Sequence, residues 1–138
     1  MIEELVADDA LEAAALWELV GLTRPWNDPV ADFTRAMEGA TSSVLGLRQD
    51  NELVGTVMVG SDGHRGWVYY VAVRPTLQGN GLGARLMAFA EAWFRERGIE
   101  KVQLMVRHSN ERALGFYRHL EYEDAEVSVL KKWVSPAS

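Results

Sequence analysis

The stretch QGNGLGA, Gln78–Ala84, sets three glycines between an apolar run, Val68–Val73, and a segment with apolar residues at helical spacing. Glycine adopts positive φ without steric cost and lets the backbone approach another group closely. A strand that turns through such glycines into a helix leaves the first amides of that helix unpaired. Those amides and the helix's partial positive charge attract phosphate oxygens. The junction therefore demands a strand–turn–helix unit, and the remaining chain has to be arranged around it.

Before the junction, Ile2–Val6 reads as a short strand. Asp8 and Asp9 then offer an N-cap to a helix whose apolar residues are Leu11, Ala14, Ala15, Trp17 and Leu19, ending near Gly21. RPWNDP, Arg24–Pro29, contains two prolines and reads as a loop, followed by a short helix over Ala31–Met37. Ser43–Arg48 and Leu53–Gly60 are strand-like around the polar turn QDNE, which predicts a hairpin. DGHRG, Asp62–Gly66, is the next turn. Trp67–Val73 after it is apolar enough for a strand covered on both faces.

Past the glycines, Leu82, Leu86, Phe89 and Trp93 form a core-facing stripe, with Arg85, Glu91, Arg95 and Glu96 opposite and Gly98 as the stop. Lys101–Arg107 alternates as a strand, Asn110–Leu120 reads as a helix, and Val127–Val134 as a last strand. With 138 residues, one domain over 1–138 is expected.

Composition removes several kinds of chemistry. There is no cysteine, and His64, His108 and His119 match no metal-ligand spacing, so no metal is expected. A net charge of −6 argues against nucleic acid as a partner. No apolar run approaches the roughly 18 residues of a membrane span, and MIEELVADDA lacks the features of a signal peptide. The expected location is cytoplasmic.

Three phosphate-binding loops compete for QGNGLGA. A nucleotide P-loop would end in Gly-Lys-Ser/Thr, whereas Gly83 precedes Ala84 and Arg85. The dinucleotide pattern G-x-G-x-x-G/A is formally met by Gly79, Gly81 and Ala84. Its acidic residue belongs after the second strand, however, and Glu100 precedes the strand Lys101–Arg107.

The third loop brings a resemblance. Gln78, Gly81 and Gly83 match the Gln/Arg-x-x-Gly-x-Gly/Ala motif of the GNAT N-acetyltransferases, and Val71-Ala72-Val73-Arg74-Pro75 matches the strand end before it. Asn110, Ala113, Phe116 and Tyr117 match a second motif of that family. RPWNDP, DGHRG and the Tyr69-Tyr70 pair also resemble its small bacterial YpeA-like group. One departure is Glu121, where the family usually has glycine before the final aromatic of the second motif.

The resemblance implies an α/β (α+β) fold with a mixed sheet of six to seven strands, splayed fourth and fifth strands, and four helices. It implies transfer of an acetyl group from acetyl-CoA to a primary amine by direct attack on the thioester; a non-catalytic acyl-CoA-binding module is the alternative. The backbone of Val71, Ala72 and Val73 would hold the pantetheine arm. Gln78, Gly79, Asn80, Gly81, Leu82, Gly83 and Ala84 would hold the pyrophosphate, and Asn110 would also contact the cofactor.

Tyr117 would be the general acid, or else a helix residue packing on the sheet. An alkylamine is neutral in only about one molecule in 10³ at pH 7, so its proton must be removed. The strand Trp67–Tyr70 carries no carboxylate, which leaves Asp62 and His64 in the preceding turn as candidate bases, or as ordinary turn residues. Arg24, Trp26 and Asn27 could line the acceptor side, while Asp28 and Pro29 read as the start of the second helix. If its edge is exposed, Val127–Val134 could pair across a homodimer.

Overall fold

A computed structural model describes residues 1–135. It divides into two units, Met1–Leu104 and a second that begins at Met105. The first runs β1 (Ile2–Glu4), α1 (Ala10–Leu19), α2 (Pro29–Glu38), β2 (Ser42–Gln49), β3 (Glu52–Ser61), β4 (Gly66–Val73), α3 (Leu82–Glu96) and β5 (Val102–Gln103). The second contains α4 (Glu111–His119).

The strands form one sheet in the order β1-β2-β3-β4-β5, antiparallel except for the parallel β4–β5 pair. The α+β class therefore holds with four α-helices, but the described residues form five strands, not six or seven. Lys101–Arg107 contributes only Val102 and Gln103 to the sheet, opposite Gly66 and Trp67. Val127–Val134 forms no strand, and Val127, Val129, Leu130, Trp133 and Val134 are all exposed. The pairing edge expected for a homodimer is absent with it. Alternation shows only that a segment fits a sheet; without a neighbouring strand its backbone gains nothing by extending.

Local chemistry explains most element ends. Asp50 and Asn51 take φ of 50° and 65°, which closes the β2–β3 hairpin with a two-residue turn whose twist suits the strands. Asp28 Oδ1 accepts from the Ala31 amide at 3.1 Å with Pro29 at the first helical position. Gly21, at φ 77°, ends the α1 segment, and the Leu22 amide returns to the Trp17 carbonyl at 2.9 Å. Gly98, at φ 73°, does the same for α3 through Ile99 and Phe94.

Helices cover both faces of the sheet. A Cβ on Gly55 would meet Leu86 of α3, while the next residue, Thr56, accepts from Trp17 of α1. Successive strand residues face opposite ways, so α1 and α3 lie on opposite faces. The α1–α2 side buries Leu5, Ala13, Leu16, Trp17, Phe33, Ala36, Val44, Leu53 and Ala72. On α3 the buried residues are Leu82, Leu86, Met87, Ala90, Trp93 and Phe94.

Three burial expectations change. Phe89 is exposed, and Met87 and Phe94 take its place in the core. Leu11 and Leu19 are exposed, while Ala13 and Leu16 face inward. β4 is not covered on both faces, because Tyr69 is 44% exposed. An apolar stripe leaves its rotation uncertain by one position, and the width of the contact decides it.

Candidate active site

β4 carries an irregularity at its centre. Thr56 pairs with Ala72 and Met58 with Tyr69, so Val57 faces both Tyr70 and Val71. This is a β-bulge, and Tyr70 takes φ of 50° within it. A bulky side chain in the left-handed region costs about 1–2 kcal/mol, so surrounding contacts must offset that strain. β5 pairs only with Gly66 and Trp67. Among the described residues, Val68–Val73 therefore has no strand on its β5 side.

After β4, a short turn over Pro75–Leu77 leads into the glycines. Gly79 and Gly81 have φ of 85° and 78°, and a Cβ at either would meet nothing within 4 Å. Their requirement for glycine is conformational, and the space beside them is open. Gly81 precedes α3, whose N-terminus has no side-chain cap; the first bond back to it is from Arg85 to the Gly81 carbonyl at 3.1 Å. The amides of Leu82, Gly83 and Ala84 thus start the helix facing outward, as a phosphate-binding turn requires. Gln78 donates to the Val73 carbonyl at 3.1 Å and Asn80 to the Leu77 carbonyl at 3.0 Å, bracing the loop.

Asp62 and His64 lie in the β3–β4 turn, at the opposite end of the eight-residue β4 from the glycines. Asp62 Oδ1 accepts from the amides of His64 and Arg65, both at 2.8 Å. Those two backbone bonds hold its carboxyl below the usual range, which weakens it as a base. Arg24 folds onto its own loop, donating to the Gly21 and Thr23 carbonyls at 3.0 and 2.9 Å. Trp26 is 45% exposed and Asn27 is exposed, so neither anchors that loop in the core.

Sequence reasoning did not single out Asp32, whose Oδ2 accepts from the Tyr70 hydroxyl at 2.7 Å. The two residues are 38 positions apart, and no local pattern links them. An open groove of about 440 Å³, lined by Glu4, Met37, Ser43, Trp93 and Arg97 among others, includes residues near the C-terminal end of α3, far along the helix from the glycines.

In the second unit, Asn110 Oδ1 accepts from the Ala113 amide at 3.1 Å, capping α4 as its position predicts. Tyr117 packs edge-on against Phe116 and Tyr122, with ring centroids 4.9 and 5.9 Å away. Burial pushes its phenol up to about 12. Glu121, in the glycine position of the second motif, has φ of 72°, so the turn keeps its left-handed form with a side chain present.

A bulged strand that runs through left-handed glycines into an uncapped helix start forms a turn suited to a phosphate-bearing ligand. The model of the Acetyltransferase (GNAT) family matches residues 9–122, and the chain belongs to that family. Among solved structures it is similar to an aminoglycoside acetyltransferase from an uncultured soil metagenomic sample, in complex with trehalose. That pair is 21% identical with a TM-score of 0.81, over 99% of this chain and 96% of the other. The aminoglycoside acetyltransferase AAC(6')-Iy, in complex with a bisubstrate analog containing CoA, superimposes with a TM-score of 0.84 at 12% identity, covering 98% of each chain. A ribosomal-protein-alanine N-acetyltransferase from Brucella melitensis biovar Abortus 2308 gives 0.78 at 23% identity, over 96% of this chain and 98% of that one. At these identities the likeness establishes the shared fold.

Proposed function

We propose that the chain transfers an acetyl group from acetyl-CoA to a primary amine, working as one domain over residues 1–138. The family match spans both structural units, which supports that single-domain reading. The observation that carries the function is the glycine turn: Gly79 and Gly81 are left-handed, with open space beside them, at an uncapped helix start. That arrangement suits a pyrophosphate, so Gln78–Ala84 would hold the diphosphate of acetyl-CoA. Val71, Ala72 and Val73 would offer backbone groups to the pantetheine arm, and Asn110 would still have its amide N–H₂ to give the cofactor.

The reaction needs a neutral amine. Its nitrogen attacks the thioester carbonyl, a C–N bond forms, the C–S bond breaks, and the sulfur takes up a proton. Tyr117 would supply that proton or hydrogen-bond the departing sulfur. With its phenol near 12, complete transfer to a thiolate of ordinary basicity near 8.5 is uphill, so stabilisation by the hydrogen bond is its larger contribution. His64, at the far end of β4, would take up the amine proton only by relay through water. Asp62 is engaged by its own turn and would act by orienting that loop. Arg24, Trp26 and Asn27 would border the acceptor.

Similar solved structures include an aminoglycoside acetyltransferase and a ribosomal-protein-alanine N-acetyltransferase, which supports a small amine or a protein amino group as acceptor. RPWNDP and DGHRG support placement in the YpeA-like group, and a cytoplasmic location is part of this reading. No helix among the described residues is long and apolar enough to cross a membrane.

Calorimetric titration of acetyl-CoA and NAD into the wild type and Gly81→Glu tests the reading, followed by a thiol-release screen over amines. Binding of acetyl-CoA alone, lost in the variant, is expected. Binding of NAD instead, or of neither, would overturn it. The absence of a carboxylate on β4 favours the acyl-CoA-binding alternative, which predicts CoA binding without thiol release for any amine.

A further inference from the structure

The left-handed residue of β4 is held by side chains from three other elements. The Tyr70 ring stacks on Trp17 of α1, with centroids 3.9 Å apart and planes 16° from parallel. Its hydroxyl donates to Asp32 of α2 at 2.7 Å. Its carbonyl accepts from Thr56 Oγ1 of β3 at 2.9 Å, and that same oxygen accepts from Trp17 Nε1 at 2.8 Å. Trp17 and Thr56 are fully buried. Ring, hydroxyl and carbonyl of one strained residue are thus each fixed, and the fixing groups are joined to one another.

We propose that Tyr70 is a positioning residue: Asp32, Trp17 and Thr56 clamp it so that the bulge persists and the adjoining Val71 amide is turned toward the thioester carbonyl. The inference rests on the acetyl-transfer reading given above. A regular antiparallel ladder would commit every second amide of β4 to β3, and a bulge frees one. Strain kept in place by such over-determined contacts is a recurrent property of sites that orient a group for chemistry. Burial and the bond to Asp32 raise the Tyr70 phenol, so it remains a neutral donor throughout the working pH range. It therefore acts through geometry, without titrating. Arg35 also pairs with Asp32, but its side chain is 70% exposed, so that pair adds little to the clamp.

The test is isotope-edited infrared spectroscopy of acetyl-CoA, labelled at the thioester carbonyl, bound to the wild type, Tyr70→Phe, Asp32→Ala and the double variant. In the wild type the carbonyl stretch should fall relative to free acetyl-CoA, as it does on accepting a hydrogen bond. Each single variant should lose about half or more of that shift, and the double variant no more than either, because both remove the same bond. Acetyl-CoA affinity should stay within about threefold, since the pyrophosphate loop is untouched. With an acceptor in hand, kcat should fall about tenfold or more at unchanged KM, up to the roughly 10²–10³ that removing such a donor outright costs.

A carbonyl band unaffected by either variant, or additive effects in the double variant, would overturn the proposal. So would an acceptor KM raised by Asp32→Ala alone, which would make Asp32 a substrate contact. Failure of the wild type to bind acetyl-CoA would instead sink the acetyl-transfer reading, and the inference with it. Tyr70→Phe retains the stack on Trp17, so circular dichroism should show it folded.

Discussion

Gly81 and Gly98 form an internal comparison. Their φ angles are 78° and 73°, and at both a Cβ would meet no atom within 4 Å. Replacing either with alanine therefore incurs the left-handed penalty and no clash, a loss of about 1–2 kcal/mol in each case. In a domain of this size that lowers Tm by roughly 3–6 °C, and the two variants should agree closely. Their ligand binding should differ. Gly81 sets the first amides of α3, and Gly98 only ends the helix. If Gly81→Ala misplaces one amide donating to a charged phosphate, at about 1.5–3 kcal/mol, acetyl-CoA Kd rises about 10–150-fold. For Gly98→Ala, Kd should be unchanged. Differential scanning calorimetry and isothermal titration measure both quantities on the same samples. Equal Kd values in two equally destabilised variants would refute the assignment of the loop.

Three further outcomes follow from the geometry. A Cβ on Gly66 would lie 2.6 Å from the Phe94 ring, so Gly66→Ala should lose about 1–3 kcal/mol in urea denaturation, and Phe94→Leu in that background should recover part of it. Glu121→Gly, relieving φ of 72°, should raise stability by about 1 kcal/mol, read as an increase in Tm. The Glu12 carboxylate accepts from the Leu53 amide at 2.9 Å and from Arg48 at 3.1 Å. The Leu53 bond first, with Arg48 adding to it, lowers its pKa in the folded state from an ordinary 4.5. The stability it contributes is therefore full above that value and is lost as pH falls through the depressed folded one. Glu12→Gln should flatten the acid limb of the stability–pH curve below about pH 4.5 and lower the plateau above it.

Much of the candidate site could be read before any coordinates. The glycine turn, the Asn110 cap and the Asp28–Pro29 helix start each depend on residues within about four positions, and their sequence signals are correspondingly direct. Asp62 carried two meanings in sequence, base or turn former. The amides of His64 and Arg65 on one of its oxygens favour the second. Arg24 was similarly open, and it bonds the carbonyls of its own loop. The clamp on Tyr70 left no trace, because its members come from α1, α2 and β3 and meet only when the sheet is assembled.

By itself, then, the sequence determined where the chain turns, where most of its helices start and stop, and which loop has the form that suits a phosphate. Those outcomes follow from φ preferences and from hydrogen bonds closed over a few residues. Only the tertiary structure decided that Phe89 stays outside while Phe94 is buried, that β5 shortens to two paired residues, and that β4 kinks at Tyr70. Burial, pairing and strain depend on what distant segments bring to the same place, and a side chain's own neighbours in sequence cannot supply that.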